Sequence, residues 1–529
     1  MKDMFNRSEF KFILGLTMLF LAVVIIRTAW MCDDAYTSFR VMGNFLQWGR
    51  LTFNLDERVF PVTHPLWFFL LLIPYYLTRD AYYTTLLISF IISLLAVYLV
   101  VFKIARSNLA GLVALVILIF SKAFIDFSTS GLENPLTYLI LASYFWLYFT
   151  RENCRQKLFY LSLLAGLGMF NRLDTGLFYL PSLFDVFWRL RKDHPWFPLL
   201  AGLLPIIFWL IFSTFYFGFP FPNTAYAKLQ TGISQTELFA QGGYYLLNSL
   251  SLDPLTLTII VFVVGLSFMK GNSSLTPASY GALLYLYYIL YIGGDFMSGR
   301  FLAAVLFTSV IILVRASLFE ALQIFLLIAV IILGLSAPFP TVLNNANYGL
   351  NRNDLFDNKG IADERGFYYP KFGFLNTFRS ATPNSLVWNG WKEPIMDKVT
   401  SVEAGVDFLG SLGLQAKPNV HLVDIYALAD PLLARLPAAP DPNWRIGHFI
   451  RVMPEGYLET LKTGKNQIKD KNIALYYDKL SFITRGNLFD IDRLKEIIKF
   501  NLGKYNYLIN LRYNHELSLS PESKTNISK

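Results

Sequence analysis

Long apolar runs separated by short polar loops constrain the fold of this chain more than any other feature. The first covers residues 10–29, and ten more centre on residues 82–102, 109–125, 134–150, 158–170, 175–190, 197–217, 254–269, 276–292, 301–315 and 318–336. Their lengths approach the ~20 residues that an α-helix needs to cross a bilayer. Only 16% of the 529 residues are charged, against about 25% in soluble domains. The sequence therefore predicts a polytopic membrane protein with an all-α domain of about eleven transmembrane helices.

The loops between these runs alternate in charge. If residues 10–29 form the first membrane helix rather than a cleaved signal peptide, one set of loops carries most of the basic residues, namely Lys103, Arg106, Arg151, Arg155, Lys157, Arg189, Arg191, Lys192, Lys270 and Arg315. The positive-inside rule assigns these loops to the cytoplasm. They also account for the net charge of +9 without a nucleic-acid partner. This arrangement requires that the short apolar segment 65–77 lies in the outer interface and does not cross.

The composition becomes polar from about residue 338 onward, which predicts a second domain. We expect a transmembrane catalytic domain over residues 1–337, whose outer loop at residues 30–78 contains interfacial helices. A soluble α+β domain on the outer face would follow over residues 338–515, with a disordered tail at 516–529. Alternating apolar residues predict strands at 385–388, 420–425 and 505–511, and a helix at 490–500. The two cysteines, Cys32 and Cys154, form neither a disulfide framework nor a metal-binding pattern.

Adjacent carboxylates, Asp33 and Asp34, follow the first apolar run directly. Low dielectric and mutual repulsion at the membrane edge raise the pKa of at least one of them, which suits a general base. The alternative is that one of them simply caps the following helix. Residues 34–48 have an interrupted apolar stripe, with Arg40 and Asn44 one turn apart on another face, and this pattern predicts an amphipathic interfacial helix.

Three further polar clusters lie in loops of the same outer set. Glu133 precedes Asn134-Pro135, where it could also favour the start of a helix. Arg172 and Asp174 could bind a phosphate or pair only with each other. Asp295 and Arg300 end the glycine-flanked stretch Gly293 to Arg300, which either brings a guanidinium to an anion or holds a plain salt bridge.

Two basic side chains outside these clusters are also candidates. Lys228 follows Pro222-Asn223 in a loop that two prolines hold extended, and it could contact an anion or snorkel to the membrane surface. His448 stands near Trp444 and Arg445 and could contact a glycan or be incidental. Together, these outer residues predict a cavity with carboxylates for a base and with Arg172, Arg300 and Lys228 for an anionic group. A lipid-linked sugar phosphate meets those requirements.

The ordered set of motifs resembles the GT-C glycosyltransferase superfamily, and within it the mycobacterial terminal arabinofuranosyltransferase family. The resemblance rests on Asp33-Asp34-Ala35-Tyr36, Arg40, Asn44, Phe53-Asn54, Glu57-Arg58-Val59, Thr63, Pro65-Leu66-Trp67, Ser130-Gly131-Leu132-Glu133, Arg172, Asp174, Pro222-Asn223, Tyr226-Ala227-Lys228, Gly293-Gly294-Asp295-Phe296-Met297 and Gly299-Arg300. It continues with Val423-Asp424, Leu428, Asp430-Pro431, Arg435, Gly447-His448, Pro454 and Tyr457. It therefore covers most of the chain.

This resemblance implies an inverting enzyme of a bacterial cytoplasmic membrane that takes one sugar from a decaprenyl- or undecaprenyl-phosphate donor. It implies that Asp33 and Asp34 form the catalytic pair, with Asp34 as base, and that the acceptor is a cell-envelope glycan or protein on the outer face. The substrate-binding residues would be Arg40, Asn54, His64, Glu133, Arg172, Asp174, Asn223, Lys228, Asp295, Arg300 and His448. Arabinofuranose is one candidate sugar.

The sequence departs from the family at three positions that bear on sugar choice. His64 replaces a small polar residue, Ser298 replaces a proline, and Phe301 stands where a second arginine can follow. Asp33, Asp34 and Glu133 are the candidates for a divalent cation, which some superfamily members use. A transporter or a non-catalytic glycan-binding or assembly protein is the alternative function. A transporter is disfavoured because the charges collect at the outer ends of the spans and no second half mirrors the first.

Overall fold

Helices dominate the computed structural model, which describes residues 7–269, 273–350, 355–379, 401–406, 408–439 and 441–509. In chain order the helices up to the end of the last long apolar run are α1 Arg7–Thr28, α2 Asp33–Trp48, α3 Pro65–Thr78, α4 Ala81–Leu99, α5 Asn108–Phe120, α6 Lys122–Asp126, α7 Asn134–Thr150, α8 Arg155–Asn171, α9 Gly176–Arg189, α10 Trp196–Gly202, α11 Leu204–Phe217, α12 Asn223–Leu229, α13 Gln235–Leu252, α14 Pro254–Ser267, α15 Thr276–Ile292, α16 Arg300–Arg315 and α17 Glu320–Ser336. There follow α18 Glu364–Phe372, α19 Phe374–Arg379, β1 Ser401–Val406, α20 Leu409–Gln415, β2 Val420–Asp424, α21 Tyr457–Thr463, α22 Lys471–Arg485 and α23 Ile491–Asn501.

All eleven predicted apolar segments lie largely on helices, yet few of these helices have the length of a full membrane span. Within the described ranges, Ser8–Thr28 and Ala81–Ile104 are long and apolar enough to cross a membrane, and two bent helix pairs raise the number to four. Most of the others have only 13 to 17 residues, against the ~20 needed. A membrane protein is therefore indicated, whereas the count of eleven crossings stays a prediction, as does the course of α3.

Local sequence explains where several of these helices begin and break. The side chains of Asp80, Ser107 and Asp253 accept hydrogen bonds from backbone N–H groups in the first turns of α4, α5 and α14, which is ordinary N-capping. The predicted segment 197–217 is divided into α10 and α11, which are bent by 54°. Pro205 stands at this break, and its missing N–H and fixed φ prevent a continuous helix.

Contacts divide the chain into two compact units that interleave along the sequence. Unit 1 comprises residues 1–32, 64–207 and 238–385, and unit 2 comprises residues 33–63, 208–237 and 386–529. In unit 1 the central helix is α16, whose residues from Arg300 to Val314 are all buried. It packs against α5, α7, α14 and α15. The predicted boundary near residue 337 separates a transmembrane domain from a soluble domain. This boundary stays a prediction.

Unit 2 contains the described strands. β1 and β2 pair in parallel, with Ser401 opposite Val420 and Ala404 opposite Val423, and the register shifts before Val406. Gly405 has a φ of +80° at this shift, a conformation that glycine adopts without a steric penalty. α2 packs on α20. A buried core that includes Phe219, Leu480 and Ile497 joins the stretch 208–237 to the C-terminal stretch of the unit.

The secondary structure predicted for the C-terminal part is partly confirmed. β2 confirms the strand predicted at 420–425, and α23 confirms the helix predicted at 490–500. The strand predicted at 505–511 is wrong over its described part, where a 3-10 turn spans Asn506–Leu508. Gly503, at a φ of +72°, reverses the chain just before it. The strand predicted at 385–388 and the tail after residue 515 lie outside the described residues.

Candidate functional site

The aspartate pair occupies the first turn of α2, as expected for an interfacial helix that begins directly after α1. Both side chains are partly buried. Negative charge is favourable at this end of a helix, because the peptide dipoles place partial positive charge there. Among the described residues no Lys, Arg or His nitrogen lies within 4 Å of either carboxylate, so neither aspartate belongs to an ion pair.

The carboxylate of Asp33 is bonded at both oxygens. Oδ2 accepts a hydrogen bond from the backbone N–H of Gly410 at 2.8 Å, and Oδ1 accepts one from the N–H of Ser411 at 2.8 Å. Gly410 and Ser411 lie in the first turn of α20, so Asp33 caps a helix distant in sequence. A Cβ atom at position 410 would lie 1.8 Å from the carbonyl oxygen of Asp33. Glycine is therefore required for this close approach.

The two aspartates differ in the hydrogen bonds that their carboxylates accept. Burial raises the pKa of Asp33, assisted by the charge of Asp34 and opposed by the hydrogen bonds from Ser411 and Gly410. The carboxylate of Asp34 accepts no hydrogen bond from a described residue. Asp33 thus caps α20, which is not the following helix that the capping alternative named, while the carboxylate of Asp34 keeps its acceptor capacity.

Five other predicted side chains gather in unit 1 around Glu133, whose side chain is almost fully buried. Its Oε1 accepts from Nη1 of Arg172 at 2.7 Å and from Nη2 of Arg300 at 3.3 Å, and its Oε2 lies 3.2 Å from Nδ1 of His64. Arg172 Nε also donates to both oxygens of Asp174 at 2.9 Å, and Arg300 Nη1 lies 3.5 Å from Asp295 Oδ2. We call this group the Glu133 network.

The Glu133 network joins three carboxylates to two guanidinium groups and the imidazole of His64. Burial by itself would raise the pKa of Glu133, but Arg300, Arg172 and the hydrogen bond from His64 hold it well below its ordinary value. Tyr285 donates a hydrogen bond to Asp174 at 3.2 Å. Although Glu133 directly precedes α7, its carboxylate makes no capping hydrogen bond. The helix-start interpretation therefore does not describe what its side chain contacts.

The glycine-flanked loop explains how Arg300 reaches this network. Gly293 ends α15 in the left-handed region, and Gly299, at a φ of +77°, directly precedes α16, so the loop turns sharply at both ends. Both predicted salt bridges, Asp295 with Arg300 and Arg172 with Asp174, are formed. Each arginine also contacts Glu133. The two separate salt bridges considered from the sequence do not account for this shared contact.

Three predicted binding residues in unit 2 contact the main chain. Arg40 donates to the carbonyl oxygens of Phe53 at 2.9 Å, Gly413 at 2.6 Å and Val420 at 2.9 Å. Asn54 exchanges two hydrogen bonds with the backbone of Leu422. Asn223 Nδ2 lies within 3.1 Å of the carbonyl oxygens of Ala427, Leu428 and Asp430. These side chains fix loops of unit 2, and their contact with substrate stays a prediction.

Lys228 and His448 interact with each other electrostatically. Lys228 lies in the last turn of α12, and His448 packs edge-on against the ring of Tyr426 at 4.9 Å. Burial lowers the pKa of His448 to about 3, with further contributions from Arg445 and Lys228. The imidazole is therefore neutral at physiological pH, so it suits a hydrogen bond to a sugar hydroxyl better than contact with an anion.

Comparison with known proteins found one curated relative and one solved structure. The chain is 25% identical, over 80% of its own length and 81% of the relative's, to the terminal beta-(1→2)-arabinofuranosyltransferase of Mycobacterium tuberculosis. The likeness supports glycosyl transfer as the general class. The crystal structure of the Archaeoglobus fulgidus oligosaccharyltransferase with Zn and sulfate is 13% identical, with a TM-score of 0.39, and the match spans 77% of this chain and 62% of that one. No family model matches the sequence.

The structure also brings together polar residues in unit 2 that sequence reasoning did not combine. His421 on β2 lies 2.8 Å through Nδ1 from Asp56 Oδ1, and Arg485 lies 3.1 Å from Asp56 and 3.2 Å from Glu57. Burial would lower the pKa of His421, but Asp56 and Glu57 raise it above its ordinary value. In the sequence, the adjacent charges Asp56-Glu57 indicate a polar cluster, but their partners are more than 360 residues away.

A second such group lies in unit 1 and is buried throughout. Lys122 bonds to Asp126, to Asp363 at 3.1 Å and to the hydroxyl of Tyr348, and Arg365 lies 2.9 Å from Asp126. Within the described ranges, no three His, Cys, Asp or Glu side chains are grouped so that they could hold a metal ion. A divalent cation therefore remains a matter for direct test.

Proposed function

We propose that this chain is an integral membrane glycosyltransferase. It transfers a single sugar from a polyprenyl-phosphate donor to a hydroxyl group of a glycan or protein acceptor, with inversion at the anomeric carbon. The likeness to the mycobacterial terminal arabinofuranosyltransferase over four fifths of both chains supports the class. Because that relative is named for arabinofuranose, a polyprenyl-phosphate arabinofuranose is the first donor to test.

The asymmetry between Asp33 and Asp34 is the observation that carries this proposal. Two backbone N–H groups hold the carboxylate of Asp33, and this fixes the start of α2. Asp34, the next residue, accepts no hydrogen bond from a described residue and lies outside every described ion pair. A general base must be held in place and must also have a free lone pair for the proton it removes. Asp34 meets both requirements, and Asp33 acts as its positioning residue.

The reaction is a single displacement. The acceptor oxygen attacks the anomeric carbon and forms the new glycosidic bond, while the bond from that carbon to the phosphate oxygen breaks. Asp34 takes the proton of the acceptor hydroxyl, and the electron pair of the broken bond leaves with the polyprenyl phosphate. Because a phosphate is a weak base, the leaving group needs positive charge nearby more than it needs an acid. Attack from the face opposite the phosphate inverts the configuration.

The Glu133 network supplies fixed charge to the substrate. Arg172 and Arg300 are held by three carboxylates before any ligand arrives, so their N–H groups need little reorganisation on binding. Their expected ligands are the phosphate or the sugar hydroxyls of the donor, with Lys228 as a further cation. His64, Asn54, Asn223, Arg40 and His448 complete the set that we assign to substrate binding or to shaping its surroundings.

The distribution of basic loops supports a location in the cytoplasmic membrane of a bacterium, with the aspartate pair on the outer side. The partners in this proposal are the lipid-linked donor, a cell-envelope glycan or protein acceptor, and the surrounding membrane lipid. A divalent cation at the carboxylates would lower the charge of the leaving phosphate. Adding a chelator to the transfer assay would test for it.

Transfer of radiolabelled sugar from a panel of polyprenyl-phosphate donors by the purified protein in detergent tests this function. We expect Asp34→Asn to lower kcat by roughly 10²–10⁴-fold, the usual contribution of a general base, with little change in KM. Asp492→Asn is the matched control, because it removes a carboxylate that is 76% exposed on α23. Its activity should equal that of the wild type.

Normal transfer by a correctly inserted Asp34→Asn variant would refute the assignment of the base. Tight glycan binding by the wild type without turnover from any donor would instead favour a glycan-binding or assembly protein. Uptake of a glycan into proteoliposomes without transfer would favour a transporter.

A further inference from the structure

A small open cleft lies within unit 2; the aspartate pair is not part of its lining, but Asn223 is. Three stretches of the chain form its wall. Residues 58–60 supply Arg58, the stretch after α11 supplies the rings of Phe219, Phe221 and Tyr226, and the C-terminal stretch supplies Arg435. The cleft therefore combines two guanidinium groups with several aromatic faces.

Arg435 is buried in this wall without a carboxylate. Its guanidinium lies 3.9 Å from the ring centre of Phe219 and 4.6 Å from that of Tyr226, and Nη1 donates to Asn223 Oδ1 and to the carbonyl oxygen of Pro431. Its Nε and Nη2 donate to no described residue, and no described carboxylate oxygen lies within 4 Å. The position of the side chain is fixed, and its charge is stabilised only from a distance by Asp430, which forms no ion pair with it.

Arg58 is held in a similar way. Its Nη2 donates to the carbonyl oxygens of Ile483 and Gly486, while its Nε is buried and has no hydrogen-bond partner. It too has no described carboxylate within 4 Å. Burial lowers the pKa of both Arg58 and Arg435, so desolvation acts against each positive charge. A bound anion would offset this cost.

Apolar surface leads to the cleft along α11. Phe217, the last residue of that helix, is part of the cleft wall, and Phe208 and Ile211 are 64% and 61% exposed on the same helix. Trp209 packs against Phe60, another residue of the wall, with ring centres 5.6 Å apart. α11 belongs to one of the bent helix pairs that are apolar enough to span a membrane. A ligand with an anionic head and a long apolar tail matches this combination.

We propose that this cleft binds the phosphate group of a prenyl phosphate, with Arg58 and Arg435 on the phosphate and the first isoprene units against Phe217 and Phe221. The choice of a prenyl lipid rests on the proposed function, which requires such a carrier to arrive with the sugar and to leave without it. Guanidinium groups form paired hydrogen bonds with phosphate oxygens. The prenyl chain would continue along the exposed face of α11 in the bilayer.

Binding of radiolabelled farnesyl phosphate to the full chain in detergent tests this proposal without any need for turnover. We expect Arg58→Gln to weaken binding at least tenfold, because one charge-assisted contact is lost. Arg435→Gln should do the same, but Arg435 also holds Pro431 in place. Phe221→Ala is therefore a second test, since this ring is 42% exposed and its loss removes an apolar contact with the prenyl chain without removing a charge. Lys495→Gln, at an exposed site on α23, is the charge-matched control and should bind normally.

Competition experiments identify the chemical source of the phosphate. Farnesol should compete poorly because it has no phosphate, and inorganic phosphate should compete poorly because it has no apolar chain. Equal affinity of wild type, Arg58→Gln and Phe221→Ala for farnesyl phosphate would overturn the proposal. Competition by phosphatidylglycerol as strong as that by farnesyl phosphate would also overturn it, since the cleft would then bind any anionic lipid. Sugar transfer by the wild type together with unchanged binding in the variants would refute this site and leave the proposed function intact.

Discussion

The Glu133 network and the aspartate pair are both built from carboxylates, but the protein neutralises them in different ways. Glu133 is surrounded by two guanidinium groups and an imidazole, whereas Asp33 accepts hydrogen bonds from uncharged donors, namely Gly410 and Ser411. Burial would raise the pKa of Glu133, but its cationic neighbours and the hydrogen bond from His64 hold it well below its ordinary value, whereas burial raises the pKa of Asp33 against the lowering effect of its hydrogen bonds. Cationic neighbours keep the Glu133 carboxylate charged, whereas burial without a cationic neighbour favours the protonated form of Asp33.

Removing Glu133 from the Glu133 network should have the largest effect on the free energy of unfolding. Glu133→Ala leaves two buried arginines without their shared partner, and breaking a buried ion pair costs about 3–5 kcal/mol. We expect a large fall in the midpoint of thermal unfolding in detergent. Glu152→Gln, at an exposed loop position, should leave the midpoint unchanged. A normal midpoint for Glu133→Ala would mean that the network does not stabilise unit 1.

The pair formed by His421 and Asp56 differs from both, since its cation is an imidazole whose pKa the carboxylates Asp56 and Glu57 raise. The folded protein raises the pKa of His421 above 6.5. Its contribution to stability is thus complete below about pH 6.5 and is lost as the pH rises through the folded value. His421→Gln should cost about 1.5–3 kcal/mol at pH 5.5, the scale of a hydrogen bond to a charged group, and less at pH 8.5.

Unfolding midpoints of wild type and His421→Gln across this pH range measure the difference. His194→Gln, at an exposed loop position, is the control and should add no pH dependence. A difference between wild type and His421→Gln that is constant with pH would show that folding does not shift the pKa of His421.

The hydrogen bonds from Gly410 and Ser411 to Asp33 can be disturbed without replacing either aspartate. Gly410→Ala places a Cβ against the carbonyl oxygen of Asp33, so α20 must move away and both hydrogen bonds to Asp33 must lengthen. Overpacking of this kind costs about 1–3 kcal/mol, and we expect sugar transfer to fall with it. Gly243→Ala on α13, where a Cβ meets nothing within 4 Å, is the control. Full activity of Gly410→Ala would show that Asp33 needs no fixed position.

The smallest effect is expected at the edge of the Glu133 network. Tyr285→Phe removes the hydrogen bond to Asp174 and leaves the packed ring in place, which should cost about 1 kcal/mol. The midpoint should fall only slightly, and sugar transfer should be nearly normal. A loss as large as that of Glu133→Ala would mean that Asp174 depends on Tyr285 for its orientation.

Sequence patterns predicted the helices and the members of the Glu133 network better than they predicted contacts. Apolar runs located the helices because burial requires continuous apolar stretches, and loop position alone selected Glu133, Arg172 and Arg300. The partner of Asp33 was not predictable, since Gly410-Ser411 carries no charge and no motif. Nor could the sequence show that the amide of Asn223 and the guanidinium of Arg40 bond to backbone carbonyls, because any donor side chain can do so.

The hydrogen bonds from Gly410 and Ser411 to Asp33 have a consequence for biosynthesis. A ribosome translates Asp33 377 residues before Gly410, and domains form as their segments emerge. Through most of synthesis the aspartate pair therefore exists without the helix that fixes it. A chain that stops before residue 410 would insert its apolar helices but lack an ordered pair, so activity would report that translation had reached the last stretch of unit 2.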